Sequence, residues 1–250
     1  MLFPVGDMLK GAWAELYARR AAYVRLSILP TVILFLLNLA SAQQALLLPQ
    51  ANPYRDFSWV LSSLLGLIVL ISWFRHVMGV EESPPLLRSD GARLLRVIWA
   101  AIKYTAFMAG PMIAAGLLVG LIGFSGMTGR LPWVLGMLIA AVAIVWMIYA
   151  CVRLVIYLPG VALDETYGLR QAFAATKPHA AGIFWLLLAA LALLFVASVI
   201  ALAIPTSFLS VEAQAGPIMI GWFTFVNWVT GGFWLSLNAQ IYRRLKGDAA

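Results

Sequence analysis

The stretch LLLAALALLFVASVIALAI, residues 186–204, contains no charged side chain and shows no alternation of apolar and polar residues. A strand of a membrane β-barrel alternates apolar and polar residues over about ten positions. An α-helix instead needs about 20 apolar residues to cross a bilayer core of about 30 Å. The uncharged run around this stretch covers 178–211 and therefore predicts a membrane-spanning helix.

The rest of the chain repeats this pattern. Of its 250 residues, 63% are hydrophobic and 11% are charged, whereas soluble domains carry about 25% charged residues. So much apolar surface cannot be buried in one aqueous globule, so the surrounding solvent must be lipid. Six runs of 18 or more residues lack Asp, Glu, Lys and Arg: 26–54, 57–74, 104–129, 131–152, 178–211 and 213–242.

These runs predict an all-α polytopic membrane helix bundle that forms a single membrane domain over residues 1–250. We expect six transmembrane helices in three tandem hairpins, each preceded by a short cytoplasmic amphipathic helix at the membrane interface. Residues 4–20 are predicted to form the first interfacial helix. The predicted spans are about 26–47, 57–79, 97–124, 131–157, 181–204 and 217–241.

The hairpin prediction rests on similar segments before alternate spans. GAWAELYARR begins at Gly11, GARLLRVIWAAIKY at Gly91 and GLRQAFAATK at Gly168. Each segment is amphipathic and carries aromatic and basic residues, as expected for one repeated unit. The alternative is that every cytoplasmic loop needs such residues for its own topology.

The basic residues predict the orientation. Every lysine and arginine except Arg55 and Arg130 flanks the same side of the predicted spans. Positively charged loops stay in the cytoplasm, so both termini are predicted to be cytoplasmic. The net charge of +7 thus has a membrane explanation, and no nucleic-acid partner is expected. This basic face either attracts anionic lipid headgroups or acts only as a topology signal.

Basic side chains near the predicted cytoplasmic boundary are candidates for contact with anionic headgroups. Lys103 and Arg153 lie a turn or two inside that boundary, where they either reach into a headgroup-level cavity or snorkel to the interface. Asp164 and Glu165 are close enough in sequence to pair with Arg153 or Arg170, so these four residues are candidates for structural ion pairs. The headgroup candidates are Arg75, Lys103, Arg153, Arg170 and Lys177.

The last predicted span contains a second candidate site, within VNWVTGGFW at 226–234. Paired glycines beside polar residues can break a helix, and broken helices form binding sites in transporters. The candidate polar residues are Asn227, Thr230, Gly231 and Asn238. Paired glycines also permit close helix packing without any site.

The sequence favours no enzymatic chemistry. It has no cluster of His, Cys and carboxylate residues at zinc spacing, and no phosphate-binding glycine loop. Cys151 is the single cysteine, so an intramolecular disulfide is excluded. The predicted spans also lack Asp and Glu, which proton- and cation-coupled transporters usually place there. We expect no enzyme activity, no metal site and no cofactor.

Three segments carry a family resemblance: Arg153 followed by LPGVALDETYGLRQAFAATK (158–177), WFRHVMGVEE (73–82) and IYRRL (241–245). They resemble YciC-like proteins and the membrane domain of membrane-bound glycerophosphodiester phosphodiesterases. The resemblance implies a six-helix fold in the bacterial inner membrane. The soluble phosphodiesterase domain of those enzymes is not part of this sequence, so the resemblance does not imply their activity.

These observations favour a non-enzymatic inner-membrane accessory or scaffold protein. Its expected partners are membrane lipids, anionic lipid in particular, or other membrane proteins in a larger complex. The alternative is a transporter or channel subunit for a small or lipidic solute, which predicts a cavity at the middle of the membrane. An enzyme acting on lipid headgroups is the third hypothesis, and it predicts that Arg75, Arg153, Asp164 and Glu165 converge in one cleft.

Overall fold

A computed structural model describes residues 4–47, 53–80, 91–124, 130–165, 168–208 and 216–247. These residues form helices joined by short turns, and no β-strand occurs among them. The helices are α1 (Val5–Ala18), α2 (Arg20–Leu47), α3 (Pro53–Val77), α4 (Gly91–Phe124), α5 (Arg130–Leu154), α6 (Tyr157–Ala162), α7 (Leu169–Thr176), α8 (Ala180–Phe208) and α9 (Pro217–Gly247), with a 3-10 turn at Lys177–His179.

Six of these helices are long and apolar enough to cross a membrane: α2, α3, α4, α5, α8 and α9. The all-α polytopic bundle predicted from the sequence is therefore confirmed, and the chain is an integral membrane protein. The longest of these helices, α4, has 34 residues and is about 51 Å long at 1.5 Å per residue. It exceeds a bilayer core of about 30 Å, so part of it extends beyond the hydrocarbon.

The long helices pack mainly with their neighbours in sequence. α2 lies against α3 and α4 lies against α5, while α9 contacts α2, α3 and α8. The short helix α1 packs across α8 and α9, which brings both ends of the described chain to one end of the bundle. We call this end, where α2, α4 and α8 begin and α3, α5 and α9 finish, the terminal end.

The short helices match the expected repeat in two of the three hairpins. α1 precedes α2 and is separated from it by a break at Arg19, and α7 precedes α8. The segment from Gly91 is different, because it is the uninterrupted beginning of α4. The expected separate helix before the third span is thus corrected. No glycine or proline occurs between Gly91 and Gly110, so nothing ends the helix before the span begins.

The packed core lies toward the terminal end. Its fully buried side chains include Trp73 and Phe74 near the end of α3, Ile183 near the start of α8, and Tyr242 near the end of α9. Elsewhere α4, α5 and α8 leave most of their leucine, valine and isoleucine side chains exposed. Lipid tails are as apolar as these side chains, so no hydrophobic force drives them into the bundle.

Arginines close the terminal end around the last turn of α3. Its final carbonyl oxygens have no partner within the helix. Arg19 donates to the carbonyl of His76 at 2.9 Å, and Arg243 reaches that of Val77 at 3.4 Å. Arg243 also pairs with Glu15 of α1. These contacts tie α1, α3 and α9 together and complement the negative helix end.

Candidate intramembrane cavity and terminal-end arginine cluster

A cavity of about 980 Å³ lies between α2, α3 and α9. Each helix contributes residues at three- and four-residue spacings, which is the stripe that one face of a helix presents. The volume lies at the upper end of the roughly 300–1,000 Å³ usual for ligand sites. The lining includes Ser27, Pro30, Leu34 and Asn38 from α2, Ser62, Leu65, Gly66 and Val69 from α3, and Phe223, Thr224, Asn227, Trp228 and Gly231 from α9.

A hydrogen-bonded aromatic group forms the floor of this cavity at its terminal end. The Tyr23 hydroxyl donates to the Trp228 carbonyl at 2.8 Å, and the Trp228 indole N–H donates to Ser27 Oγ at 2.6 Å. The ring of Trp73 meets that of Tyr23 edge-on, with 5.2 Å between their centroids. The polar groups of Tyr23, Ser27 and Trp228 therefore satisfy one another and anchor α2 to α9. The buried indole nitrogen of Trp73 has no hydrogen-bond partner among the described residues.

Two amide side chains in the wall have no such partner in the described part of the chain. Asn38 and Asn227 are exposed residues that line the cavity, so the cavity is open to its surroundings. Among the described residues, neither amide makes a hydrogen bond to another protein group. Asn38 lies nine residues before the end of α2, and Asn227 lies ten residues after the start of α9. Trp228 meets Ser27 and Gly221 meets Phe35, so Asn227 lies close to the level of the floor. Asn38 lies about 15 Å further from the terminal end, near the level at which α9 begins.

The predicted intramembrane site is thus only partly assembled. Asn227 and Gly231 line the cavity, but Thr230 donates to Val226 of its own helix at 3.0 Å. Asn238 likewise donates to Trp234 at 2.9 Å. The predicted site did not include Asn38, although its place on the same helical stripe as Ser27 and Leu34 was a usable signal.

The glycine pair in α9 does not break the helix, which runs continuously from Pro217 to Gly247. Gly232 instead allows close packing, because a Cβ atom there would lie 2.7 Å from the ring of Tyr23. At Gly231 the nearest atom would be the Tyr23 hydroxyl at 3.8 Å, an ordinary contact. The broken-helix interpretation is corrected in favour of close approach between α2 and α9.

A cluster of arginines around Asp164 occupies the terminal end. Asp164 follows α6 in the left-handed region with φ of 63°, which Asp tolerates better than most residues. This turn points its carboxylate at three guanidinium groups. Arg75 of α3 lies at 2.8 Å, and Arg93 and Arg96 of α4 each lie at 3.0 Å. One side chain thereby joins α3, α4 and the turn after α6.

The same contacts shift the pKa of Asp164. Burial alone would raise the pKa of this carboxyl, but the hydrogen bond and charge of Arg93, together with Arg75, outweigh burial. Its pKa is therefore held below the usual value, since nearby positive charge favours the ionised form. The ionised carboxylate of Asp164 is thus the shared partner of Arg75, Arg93 and Arg96.

Arg153 is buried away from Asp164 and holds α7 in place. Its guanidinium donates to Thr176 Oγ1 at 3.2 Å, to the Tyr149 hydroxyl at 2.8 Å and to the Phe173 carbonyl. It also lies over the rings of Tyr149 and Phe173. These contacts fasten α7 to the end of α5, where a cation complements the carbonyl end of α7.

The predicted ion pairs are therefore corrected. Asp164 pairs with Arg75, Arg93 and Arg96 instead of Arg153 or Arg170, and Glu165 lies 2.9 Å from Lys246 of α9. The turn after α6 faces α3, α4 and α9, whereas Arg153 points to α7. Proximity in sequence was a poor guide because the partners come from helices far away in the chain.

The five basic residues that were predicted to contact lipid headgroups also lie in different places. Arg75 and Arg153 are buried in the contacts above, whereas Arg170 and Lys177 are exposed around α7. Lys103 is exposed on α4, with its ammonium 5.3 Å from the centre of the Trp99 ring. The structure does not bring the five cations into one site. In the described part of the chain, no group of three or more His, Cys, Asp or Glu side chains is placed to hold a metal ion.

The fold and cavity define a class: a polytopic α-helical membrane protein with a cavity between three of its spans. Comparison of the chain with protein-family models, with curated proteins and with solved structures found no match in any of the three. The functional argument therefore rests on the geometry of this chain alone.

Proposed function

We propose that this protein is a non-enzymatic membrane accessory protein that holds a lipid-like amphiphile in the cavity between α2, α3 and α9. The observation that carries the proposal is that two amides in the wall of that cavity, Asn38 and Asn227, make no hydrogen bond with any residue that the structure describes. An amide kept in an apolar environment without a hydrogen bond costs roughly 1–3 kcal/mol. A bound molecule with a polar group would remove that cost.

The remaining wall suits a hydrocarbon chain. Between Asn38 and the floor lie Pro30 and Leu34 of α2, with Leu65 and Val69 of α3 facing them. Ser27 of the floor is eleven residues from Asn38, which corresponds to about 16 Å along the helix. A molecule with a polar group at Asn38 and one chain of that length matches this lining, whereas a purely polar solute would meet mostly apolar wall.

A pair of glycine variants tests this proposal. Gly66 lines the cavity, and a Cβ atom there would have no described atom within 4 Å; Gly116 on α4 is equally open but lies elsewhere. Gly66→Leu should fill the cavity without a clash, and Gly116→Leu is the matched control. Native mass spectrometry after gentle extraction should show a bound amphiphile on the wild type and on Gly116→Leu, and at least tenfold less on Gly66→Leu. Equal retention by both variants would refute the proposal.

The membrane and the orientation are part of the same proposal. We place the protein in a bacterial inner membrane with both termini in the cytoplasm, as the bias of lysine and arginine toward the terminal end supports. The resemblance to YciC-like proteins supports the same membrane. Labelling of single cysteines introduced near each end of α9, in intact cells, tests the orientation.

A transporter of the same amphiphile is the second candidate. Asn227 lies about 15 Å from the start of α9, which is nearer the middle of a span than a lipid headgroup normally resides. A polar site at that depth is what movement of a headgroup between leaflets requires. Reconstitution in vesicles with a fluorescent phospholipid separates the two roles, since only a transporter accelerates exchange between leaflets.

The headgroup-enzyme hypothesis has less support. It required Arg75, Arg153, Asp164 and Glu165 in one cleft, but Arg153 is engaged by α7 and Glu165 by Lys246. Only Arg75 and Asp164 meet.

A further inference from the structure

A second, smaller pocket of about 360 Å³ lies at the terminal end and shares no lining residue with the cavity. One wall is a face of α4, and the other is α6 with the turn that follows it. The polar and aromatic lining consists of Arg96, Trp99 and Lys103 from α4, and Tyr157, Asp164 and Glu165 from the opposite wall.

The cations of this pocket are available to a ligand. Lys103 contacts the ring of Trp99 and has no carboxylate partner among the described residues. The side chain of Arg96 is 58% exposed, and its partner Asp164 is shared with Arg75 and Arg93. Asp164 therefore neutralises Arg96 only in part.

The carboxylates of the pocket are already engaged. Asp164 is held by the arginines, and Glu165 lies 2.9 Å from Lys246. The Tyr157 hydroxyl makes no hydrogen bond within the described part of the chain and borders the same space. A cationic pair, a hydroxyl donor and neutralised acids together favour an anion with several acceptor oxygens.

The level of the pocket suits a lipid phosphate. The uncharged part of α4 begins at residue 104, and α4 exceeds the bilayer core by about 20 Å. Lys103 therefore falls at the boundary of the hydrocarbon, and Arg96, about 10 Å further along the helix, lies among headgroups. The neighbouring Leu95, Trp99 and Ile102 are exposed apolar side chains against which acyl chains can lie.

We propose that the pocket between α4 and α6 binds the phosphate group of a membrane phospholipid through Lys103 and Arg96. This site is separate from the cavity between α2, α3 and α9 and does not depend on its occupant. Lys103 places its charge at the hydrocarbon boundary, Arg96 holds the outer side of the phosphate, and Tyr157 can donate a third hydrogen bond.

The test measures lipid affinity of the purified protein by native mass spectrometry. The probes are phosphatidylglycerol, diacylglycerol with the same chains, and inorganic phosphate. Lys103→Gln removes the charge without disturbing an ion pair, and Lys10→Gln on α1 is the matched control, because Lys10 is also exposed at the terminal end. We expect Lys103→Gln to weaken phosphatidylglycerol binding about fivefold, as for one basic residue near a lipid surface, and Lys103→Arg to restore it.

Each outcome decides the proposal. The phosphate site is supported if Lys103→Gln weakens phosphatidylglycerol binding and Lys10→Gln does not. Binding of diacylglycerol should then be unaffected by Lys103→Gln. If inorganic phosphate also binds in a way that depends on Lys103, and competes with the lipid, the ligand of the pocket is free phosphate. That result would overturn the assignment to a phospholipid. Equal losses in both glutamine variants, or none in either, would overturn the site. For Arg96→Gln, the melting temperature is measured together with lipid affinity, because this variant also loses a contact with Asp164 that could affect folding.

Discussion

At the scale of single residues, Asp164 shows how one side chain can organise a helix bundle. Its backbone adopts φ of 63°, and this places the carboxylate among guanidinium groups from α3 and α4. The sequence predicted a structural ion pair for Asp164 but assigned the wrong arginines. Arg93 lies 71 positions earlier in the chain, and nothing local in sequence indicates a partner at that separation.

Asp164→Asn tests this role, because Asn also tolerates the left-handed backbone and removes only the charge. At neutral pH we expect a loss of about 1–2 kcal/mol in stability, a modest figure since the side chain is 32% exposed. The contribution is fully present above the unfolded pKa of about 3.9 and is lost as the pH falls through the lowered folded pKa. Melting temperatures of the two proteins should therefore differ above about pH 4 and converge below it. A difference that stays constant down to pH 2 would contradict this assignment.

At the scale of elements, the six spans were predictable because each needs a long uncharged run. In lipid, a backbone must also satisfy its own hydrogen bonds, which favours the α-helix for such a run. The short helices were less predictable. α1 and α7 separate from the spans they precede, whereas the segment from Gly91 continues into α4. Amphipathic periodicity is the same in a separate helix and in the first turns of a long one, so periodicity could not distinguish them.

The contact between α2 and α9 yields a prediction with a control in the adjacent residue. Gly232→Ala places a methyl group 2.7 Å from the ring of Tyr23, and overpacking of this kind costs about 1–3 kcal/mol. Gly231→Ala meets nothing closer than 3.8 Å and should be neutral or stabilising by up to about 1 kcal/mol, because Ala favours helix. Thermal unfolding in detergent compares the two variants. Equal effects of the two substitutions would argue against close packing at Gly232.

At the scale of the whole molecule, the terminal end and the opposite end are built differently. The terminal end is closed by α1, by aromatic side chains and by arginine contacts with helix ends. The spans away from it present mostly apolar side chains to lipid and leave the cavity open between α2, α3 and α9. Charge bias in the sequence predicted that the basic residues gather on one side of the spans, but not that the packed core lies there. The cavity itself was only half predicted, because Asn227 was a candidate but its counterpart Asn38 comes from a helix at the other end of the chain.

The measurement that tests the amphiphile-binding proposal most directly is photo-crosslinking inside the cavity. A photoreactive amino acid at Leu65, in the cavity wall, is compared with the same substitution at Leu117, an exposed position on α4 outside the lining. Irradiation in native membranes, followed by mass spectrometry, identifies what each position contacts. We predict that position 65 captures one amphiphile strongly enriched over the bulk lipid captured at position 117. The same lipid mixture at both positions, or a second polypeptide attached at position 65, would contradict the proposal.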